Sequence, residues 1–355
     1  MDFALSDDQL TFIDQVDRYL RDTCPPDRLH KAFDGNEAIA SEIFQGLLEL
    51  GLGGLVAPEE HGGLGLGLLE AASITERIGF AGAPGPWVSH VLAVLAIANA
   101  GSDAQKARWL PGMAAGEIVG AVALMEGSAW SPEDWKLSAS PRLSGAKDYV
   151  MGLREAQVFV VGLAGGQLAL VESTAPGVSM TPWFSTDMTR PVGQIGFDNV
   201  ACEVMPQAYG AELLDAALTL ASADSHGASA RMVEDIVEYS KTRVQFDRPI
   251  AAFQAVKHKL ADLATAVEPN GPLYRQTAAI FDQTPDDSHR AAALAKAHIT
   301  EVASNICRIA TESYGGIGYT WEHSAHIWLR RAMFNYAWMG TPAVHRARAA
   351  DLAGW

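Results

Sequence analysis

Hydrophobic and polar positions follow a helical period in the first and last thirds of the chain. Up to about residue 120, apolar residues recur every three or four positions, as at Phe12, Val16 and Leu20, with polar residues between them. Glycine and proline clusters separate these short helices. The pattern predicts an N-terminal α-helical domain over residues 1–120.

The middle of the chain has a β pattern instead. Residues 158–171 contain two β-rich runs that meet at Gly165-Gly166, a dipeptide that accepts positive φ, and they predict a β-hairpin. Residues 177–180 and 193–204 are further strand candidates, and five prolines between positions 132 and 191 exclude a long helix. We therefore predict a middle β domain over residues 121–210.

Helical periodicity returns after residue 210 and continues almost to the end. The alanine-rich residues 291–309 have high helix propensity, and the long helices are joined by short links. This pattern predicts a C-terminal helical bundle over residues 211–355 and an α+β fold for the whole chain. Residues 269–272, with a proline at each end, are the clearest predicted surface loop.

Charge and composition exclude several classes of protein. The chain has 26 Lys and Arg against 42 Asp and Glu, a net charge of −16, and no basic run, so nucleic acid and anionic membranes are not expected partners. No apolar stretch reaches the roughly 20 residues that span a bilayer. The N-terminus does not resemble a secretory signal, and three widely spaced cysteines exclude a disulfide framework. We expect a soluble cytoplasmic protein.

Two motifs have both a chemical and a structural interpretation. In Arg243-Val-Gln-Phe-Asp-Arg-Pro-Ile250, an arginine beside an aromatic ring can bind a phosphate, or it can simply face the macrodipole at a helix end. The glycines of Ser313-Tyr-Gly-Gly-Ile-Gly-Tyr-Thr320 can approach an anion, or they can form a turn between helices. The histidines lack metal-ligand spacing, so we predict no metal site.

Taken together and in order, the motifs resemble the acyl-CoA dehydrogenase family over nearly the whole chain. The resemblance rests on four segments: residues 48–65, residues 187–200, Arg243-Val-Gln-Phe246 with Phe253-Gln254, and Tyr314-Gly-Gly-Ile-Gly-Tyr319. It implies a helical N-terminal domain, a middle β-barrel domain and a C-terminal four-helix bundle. It also implies FAD, an acyl-CoA thioester substrate, oligomers, and an electron acceptor such as an electron-transfer flavoprotein.

The catalytic position departs from this family. Its members use a glutamate to remove the Cα proton of the thioester while hydride leaves Cβ for the flavin, and they usually place that glutamate directly before a Gly-Thr pair. Here Met339 precedes Gly340-Thr341. Some members place the base on the first helix of the bundle, but the matching stretch here offers only Asp215, with Asp224 further along. The resemblance therefore implies that both usual base positions are empty.

The cofactor positions depart from the family in one half only. The loop over residues 124–135, with Tyr149 and Met151, lacks the groups with which the family contacts the flavin ring. In this family another set of residues reaches the FAD of a neighbouring subunit. The matching residues are present here: Arg243, Phe246, Gln254, Gly315 and Gly316. The one exception in this half is Asp247, where the family usually has glycine.

This asymmetry leads to three hypotheses. The first is a non-catalytic subunit that lends FAD-binding residues to a partner acyl-CoA dehydrogenase-like subunit in an α2β2 heterotetramer. The second is a self-sufficient enzyme with a relocated base, Asp215 or Asp224. The third is a flavin-free scaffold that has kept the fold.

Overall fold

The N-terminal part of the chain is helical. The computed structural model describes residues 5–139 and 142–355. The first six helices are α1 (Asp7–Thr23), α2 (Pro26–Phe33), α3 (Glu37–Glu49), α4 (Leu68–Ala81), α5 (Trp87–Ala100) and α6 (Asp103–Ala114). Ser6 and Ser102 begin α1 and α6 with capping boxes. Nearly every side chain of α4 and α5 is buried, because these two helices pack inside the molecule.

Two sheets form the middle of the molecule. Their strands are β1 (Gly120–Ala123), β2 (Leu143–Met151), β3 (Val158–Gly162), β4 (Leu168–Glu172), β5 (Val178–Pro182), β6 (Val192–Val200) and β7 (Glu203–Val204). One sheet has the order β1-β3-β4-β7 and the other β2-β6-β5. Apolar side chains from both sheets, such as Phe159 and Ile195, share one core.

The predicted hairpin over residues 158–171 is confirmed. Strands β3 and β4 pair antiparallel, with Val158 opposite Glu172, and Gly165 and Gly166 have φ of 73° and 74°. The strand candidates at 177–180 and 193–204 correspond to β5 and β6, but β6 ends at Val200 and β7 is a separate two-residue strand. Strands β1 and β2 lie in segments for which only a β-rich zone was predicted.

The C-terminal part is a helical bundle. Helix α7 (Gly210–Thr242) is followed by a hairpin, β8 (Val244–Gln245) and β9 (Arg248–Pro249). The remaining helices are α8 (Gln254–Val267), α9 (Asn270–Gln283), α10 (Ser288–Ser313), α11 (Ala325–Ala337) and α12 (Pro342–Asp351). Helix α7 packs along α4 on one side and α10 on the other, which joins the bundle to the N-terminal helices.

The predicted surface loop at residues 269–272 is wrong. Helix α9 begins at Asn270, which is fully buried with Gly271. Proline is accepted at both ends of this segment because the first turn of a helix has N–H groups without helical partners. Among the described residues, no helix is long and apolar enough to cross a membrane.

Candidate functional site

The turn between α11 and α12 carries the position that the family resemblance gives to the catalytic base. Met339 and Gly340 both have positive φ, 56° and 97°. The Nε2–H of His345 donates to the Met339 carbonyl at 2.7 Å. Burial lowers the pKa of His345 to about 3, so the ring is neutral and the turn is held by a hydrogen bond to its backbone.

The side chain of Met339 is buried against the middle domain. It is 2% exposed and lines a narrow gap with Ser89 of α5, Val122 of β1 and Met125 and Met151 from the β2 side. This gap has no room for a water molecule. A thioether cannot accept a proton, so position 339 offers no base, and the gap beside it has no space for a thioester.

A larger cleft opens on the other side of the same turn, between the middle domain and the bundle. Its volume is about 620 Å³, and we call it the aromatic cleft. Six aromatic side chains line it, together with Met125, Met333, and serine and threonine hydroxyls. The aromatic residues are Trp130, Tyr149, Trp183, Phe184, Phe334 and Trp338.

A buried ion pair fixes the loop at the edge of this cleft. The ammonium of Lys147 is fully buried and donates to Glu126 Oε1 at 2.6 Å and to the Leu124 carbonyl at 3.1 Å. It also lies 4.9 Å from the Trp135 ring. Burial lowers the pKa of Lys147 to about 8, although Glu126 opposes this shift. The loop therefore has a defined conformation.

The two other ring-site positions differ in exposure. Tyr149 has φ of 54°, is half-exposed, and lies edge-on to Trp183 at 5.2 Å, and it lines both the aromatic cleft and the gap beside Met339. Met151 is buried and lines the gap but not the cleft.

Arg243 lies at the exposed C-terminal end of α7. Its backbone is hydrogen bonded on both sides, with its N–H donating to the Tyr239 carbonyl and its carbonyl accepting from Ile250. Its guanidinium makes no hydrogen bond or ion pair with any residue that the structure describes. The side chain is therefore free to bind an anion from outside the chain.

The hairpin after Arg243 presents an aromatic ring to solvent. Phe246 is 86% exposed, and it and Asp247 have φ of 51° and 61°, as the two central residues of a type I′ turn require. The Phe246 ring lies 6.1 Å from Phe253, and Gln254 begins α8 directly after it. Arg243, Phe246 and Gln254 are therefore neighbours in the structure.

The glycine-rich run reaches the same end of the bundle. The Tyr239 ring packs against Tyr314 at 5.0 Å, which joins the end of α7 to the 3₁₀ segment Gly315–Tyr319. Gly315 has φ of 71°, which favours glycine. A side chain at exposed Gly316 would meet nothing within 4 Å. The chain itself therefore gives no steric reason for glycine there.

The structure thus brings the five predicted cofactor-binding residues to one end of the bundle. Tyr239 and Tyr314 join the two motifs; the sequence analysis named Tyr314 only as part of its motif and did not identify Tyr239. A partial signal exists, because Tyr239 precedes Arg243 by four residues and therefore lies on the same helix face.

Neither aspartate proposed as a relocated base has the surroundings of one. Asp215 accepts from Ser288 Oγ and His289 Nδ1 at 2.7 and 2.5 Å. Asp224 is fully buried and bound by Arg331. Neither residue lines the aromatic cleft.

Comparisons with known proteins agree with this architecture. The sequence profile of the acyl-CoA dehydrogenase N-terminal domain matches residues 6–117, and that of the C-terminal domain matches residues 212–353. The acyl-CoA dehydrogenase IpdE2 of Mycobacterium tuberculosis is 32% identical over 285 residues, covering 80% of this chain and 77% of that protein.

Solved structures show the same fold. A variant of the Tcur3481-Tcur3483 steroid ACAD is 27% identical, with a TM-score of 0.91 and 98% of each chain covered. The ChsE4-ChsE5 complex from Mycobacterium tuberculosis shares the fold at 24% identity and a TM-score of 0.89, covering 100% of this chain and 99% of that one. The chain therefore belongs to the acyl-CoA dehydrogenase family, whose members are FAD-dependent oxidoreductases acting on CoA thioesters.

Proposed function

We propose that this chain is the non-catalytic subunit of a heteromeric acyl-CoA dehydrogenase. In this assembly it lends FAD-binding residues to a partner subunit that carries the catalytic glutamate and binds the acyl-CoA thioester. The observation that carries the proposal is the contrast between two positions. Met339 fills the base position with a buried thioether, whereas Arg243 is exposed and has no ionic partner among the described residues.

The end of the bundle has the chemistry that a dinucleotide requires. The guanidinium of Arg243 presents parallel N–H donors that match a pyrophosphate. The exposed ring of Phe246 offers a flat apolar surface to an adenine. Gly316 leaves open space where another residue would place a side chain, so a ligand can approach its backbone closely.

In this family, bound FAD supplies the acceptor for the hydride that leaves the acyl chain. The residues of this chain position the cofactor and take no part in proton transfer. Arg243 would neutralise pyrophosphate charge, and Phe246 and Gln254 would hold the adenine end of the cofactor. The partner supplies the base and the thioester pocket, and an electron-transfer flavoprotein is the electron acceptor that we expect.

Two observations support a paired assembly. A chain with this fold was solved as part of the ChsE4-ChsE5 complex, which supports association with a second protein. Exposed apolar side chains lie at the same end of the bundle as Arg243, including Val244 and Tyr319, and these are suited to burial against another subunit. We expect an α2β2 heterotetramer in the cytoplasm, where the three unpaired cysteines remain reduced.

The proposal is tested by co-purifying the chain with its partner and measuring flavin absorbance against protein concentration after gel filtration. We expect one FAD per heterodimer. Met339→Leu in this chain should leave dehydrogenation unchanged, because it conserves volume and removes no base. A yellow, active homo-oligomer of this chain with one FAD per subunit would contradict the proposal. A flavin-free assembly would instead support the scaffold hypothesis.

A further inference from the structure

A cluster of aromatic and histidine side chains joins the N-terminal helices to the bundle. We call it the histidine clasp, and it consists of residues from α2 and its C-terminal end, and from α11 and the turn before it: His30, Phe33 and Asp34 with Trp321, His326 and Arg330. The His326 ring stacks on Trp321 at 4.5 Å, and Phe33 packs edge-on against it at 5.1 Å. Trp321 Nε1–H donates to the Asp34 carboxylate at 2.8 Å. The clasp therefore ties α2 to α11 around one imidazole.

The packing of His326 requires its neutral form. Its Nε2–H donates to the Trp321 carbonyl at 3.3 Å, so a second proton would have to bind Nδ1. Nδ1 is buried and has no hydrogen-bond partner among the described residues, and the same is true of His30 Nε2 in the ring 5.4 Å away. Protonation would therefore bury a positive charge and an N–H donor without an acceptor.

The charges around His326 also oppose its protonation. Arg330, one turn further along α11, lies over two rings of the clasp, and His30 faces His326 from α2. Asp34 favours the charged form, but it is exposed and already accepts from Trp321. Burial, His30 and Arg330 together lower the pKa of His326 to about 4. Two charged groups of α7 act on the neighbouring rings of His323 and Tyr314, namely Asp235 and Arg231.

The clasp is continuous with the glycine-rich run at the cofactor end of the bundle. The 3₁₀ segment Gly315–Tyr319 ends two residues before Trp321, and the His323 ring packs against Tyr314 at 4.2 Å. Most residues from 315 to 321 are exposed. This segment is therefore anchored by Tyr314 at one end and by the clasp at the other, so a change at His326 is transmitted to the glycine-rich run.

We propose that protonation of His326 opens the histidine clasp in mild acid and thereby loosens the dinucleotide site at the glycine-rich run. The open form returns the imidazole to water, where its ordinary pKa near 6.5 applies. Neutral His326 stabilises the closed form fully above that value, and the stabilisation is lost as pH falls toward the lowered pKa. The opening concerns this chain alone, whereas its effect on a dinucleotide rests on the proposed function.

The three cysteines of the chain report on opening without an added label. Cys24 is buried two residues before α2, so release of α2 exposes its thiol. Cys202 is partly exposed in the middle domain and serves as the reference, and Cys307 is fully buried in α10 and reports on global unfolding. The wild-type chain is treated with dithiodipyridine, which reacts with thiols in acid, and labelling of each cysteine is measured by mass spectrometry of peptides.

We expect labelling of Cys24, relative to Cys202, to rise roughly 40-fold between pH 6.5 and pH 4.5 while Cys307 stays protected. His326→Gln keeps a neutral donor for the Trp321 carbonyl and should remove most of this rise. The control His298→Gln, the same substitution at an exposed site on α10, should leave it unchanged. Arg330→Met removes an opposing charge and should make the rise smaller.

The effect on the cofactor is measured on the complex with the partner subunit. Dissociation of FAD, followed by flavin fluorescence, should be roughly tenfold faster at pH 5 than at pH 7 in the wild-type complex. The complex that carries His326→Gln should show a smaller difference between the two pH values.

Four results would overturn the proposal. Cys24 and Cys307 could become labelled together, which would show acid unfolding of the whole chain. Labelling of Cys24 could be independent of pH, or it could be the same in His326→Gln and the wild type. FAD dissociation could be independent of pH while Cys24 opens, which would separate the clasp from the cofactor site and leave the proposed function in place. A complex without FAD at pH 7 would instead contradict the proposed function, and Cys24 labelling would still decide the opening of the clasp.

Discussion

Arg331 and Asp224 form a bidentate ion pair in the interior of the molecule. Arg331 Nε lies 2.9 Å from Asp224 Oδ1, and the terminal nitrogen Nη2 lies 2.6 Å from Oδ2. The other terminal nitrogen of Arg331 donates to the Ala83 carbonyl of the N-terminal part and to Thr189 Oγ1 of the middle part, both at 2.9 Å. One guanidinium therefore links the three parts of the fold.

Loss of this arginine is expected to destabilise the protein strongly. Arg331→Met leaves the Asp224 carboxylate buried with Asn335 and a more distant Arg190, 3.4 Å away. Breaking a buried pair in this way lowers the free energy of unfolding by about 3–5 kcal/mol. Urea denaturation measures the change. The guanidinium of the adjacent Arg330 lies over the Phe33 and Trp321 rings and forms no ion pair with the described residues, so Arg330→Met is a matched control that should lose less than about 1 kcal/mol.

The same pair predicts acid sensitivity. Burial alone would raise the pKa of Asp224, but Arg190 and Arg331 outweigh burial and hold it below the usual range. The stabilisation by the ionised carboxylate is therefore complete above the ordinary aspartate pKa near 4, and it is lost as pH falls through the lowered pKa. Denaturation of the wild-type protein and Asp224→Asn at pH 7 and near pH 3 tests this, because their difference should shrink in acid.

Asp215→Asn is expected to leave catalysis by the complex nearly unchanged. The carboxylate of Asp215 accepts hydrogen bonds from Ser288, His289 and Arg348 in the bundle. Loss of a true base typically reduces the rate roughly 10²–10⁴-fold. Turnover assays, with flavin content measured in parallel, distinguish a structural role of Asp215 from a role as the catalytic base. A collapse of turnover with flavin retained would identify Asp215 as a relocated base.

His289 should make the bundle less stable in mild alkali. Its hydrogen bond to Asp215 raises the pKa of the imidazole above its ordinary value near 6.5. The stabilisation is complete below that ordinary value and is lost as pH rises through the raised pKa. Wild type and His289→Gln should therefore differ in unfolding midpoint at pH 6 and converge at high pH. A difference that grows with pH would contradict this assignment.

Arg243→Ala is expected to weaken FAD binding by the complex about 10- to 150-fold, because a charge-assisted contact contributes roughly 1.5–3 kcal/mol. Arg243→Lys should recover only part of the affinity, since an ammonium lacks the fork of donors. Flavin titration of the apo-complex is the measurement. Arg290, exposed near the opposite end of the bundle, supplies the control Arg290→Ala. If Arg243→Ala bound FAD with wild-type affinity, Arg243 would act only at the helix end, facing the macrodipole.

Phe246→Gly is expected to have opposite effects on stability and cofactor affinity. A left-handed backbone costs a residue with a side chain about 1–2 kcal/mol, and Phe246 has φ of 51° while burying almost none of its ring. Glycine relieves this strain, so the unfolding midpoint should be unchanged or higher. FAD affinity should fall because the aromatic surface is lost. A fall in both quantities would show that the ring packs within its own subunit.

The sequence predicts those secondary-structure elements that are determined by residues close together in the chain. The β3–β4 hairpin follows from two apolar runs around Gly165-Gly166, and α10 follows from a long alanine-rich period. The prediction placed a loop at the first turn of α9, because prolines near a helix start resemble prolines in a loop. It also missed the β8–β9 hairpin, since Phe246-Asp247 is an unusual pair for a type I′ turn.

The candidate site was only partly predictable for the same reason. The residues around Arg243 are close in sequence or belong to motifs with a recognisable family pattern. The ion pair between Asp224 and Arg331 joins residues 107 positions apart, and no local signal links them. The aromatic cleft likewise depends on which distant side chains the fold brings together.

The hydrogen bond from His345 to the Met339 carbonyl has an evolutionary consequence. Because the turn is held through its backbone, its shape depends on His345 and not on a polar group at position 339, whose side chain has only to fit the dry gap. A duplicated copy of an active ancestor could therefore exchange its catalytic residue in a single step and remain folded. Two unequal copies could then specialise, one for chemistry and the other for holding the shared cofactor.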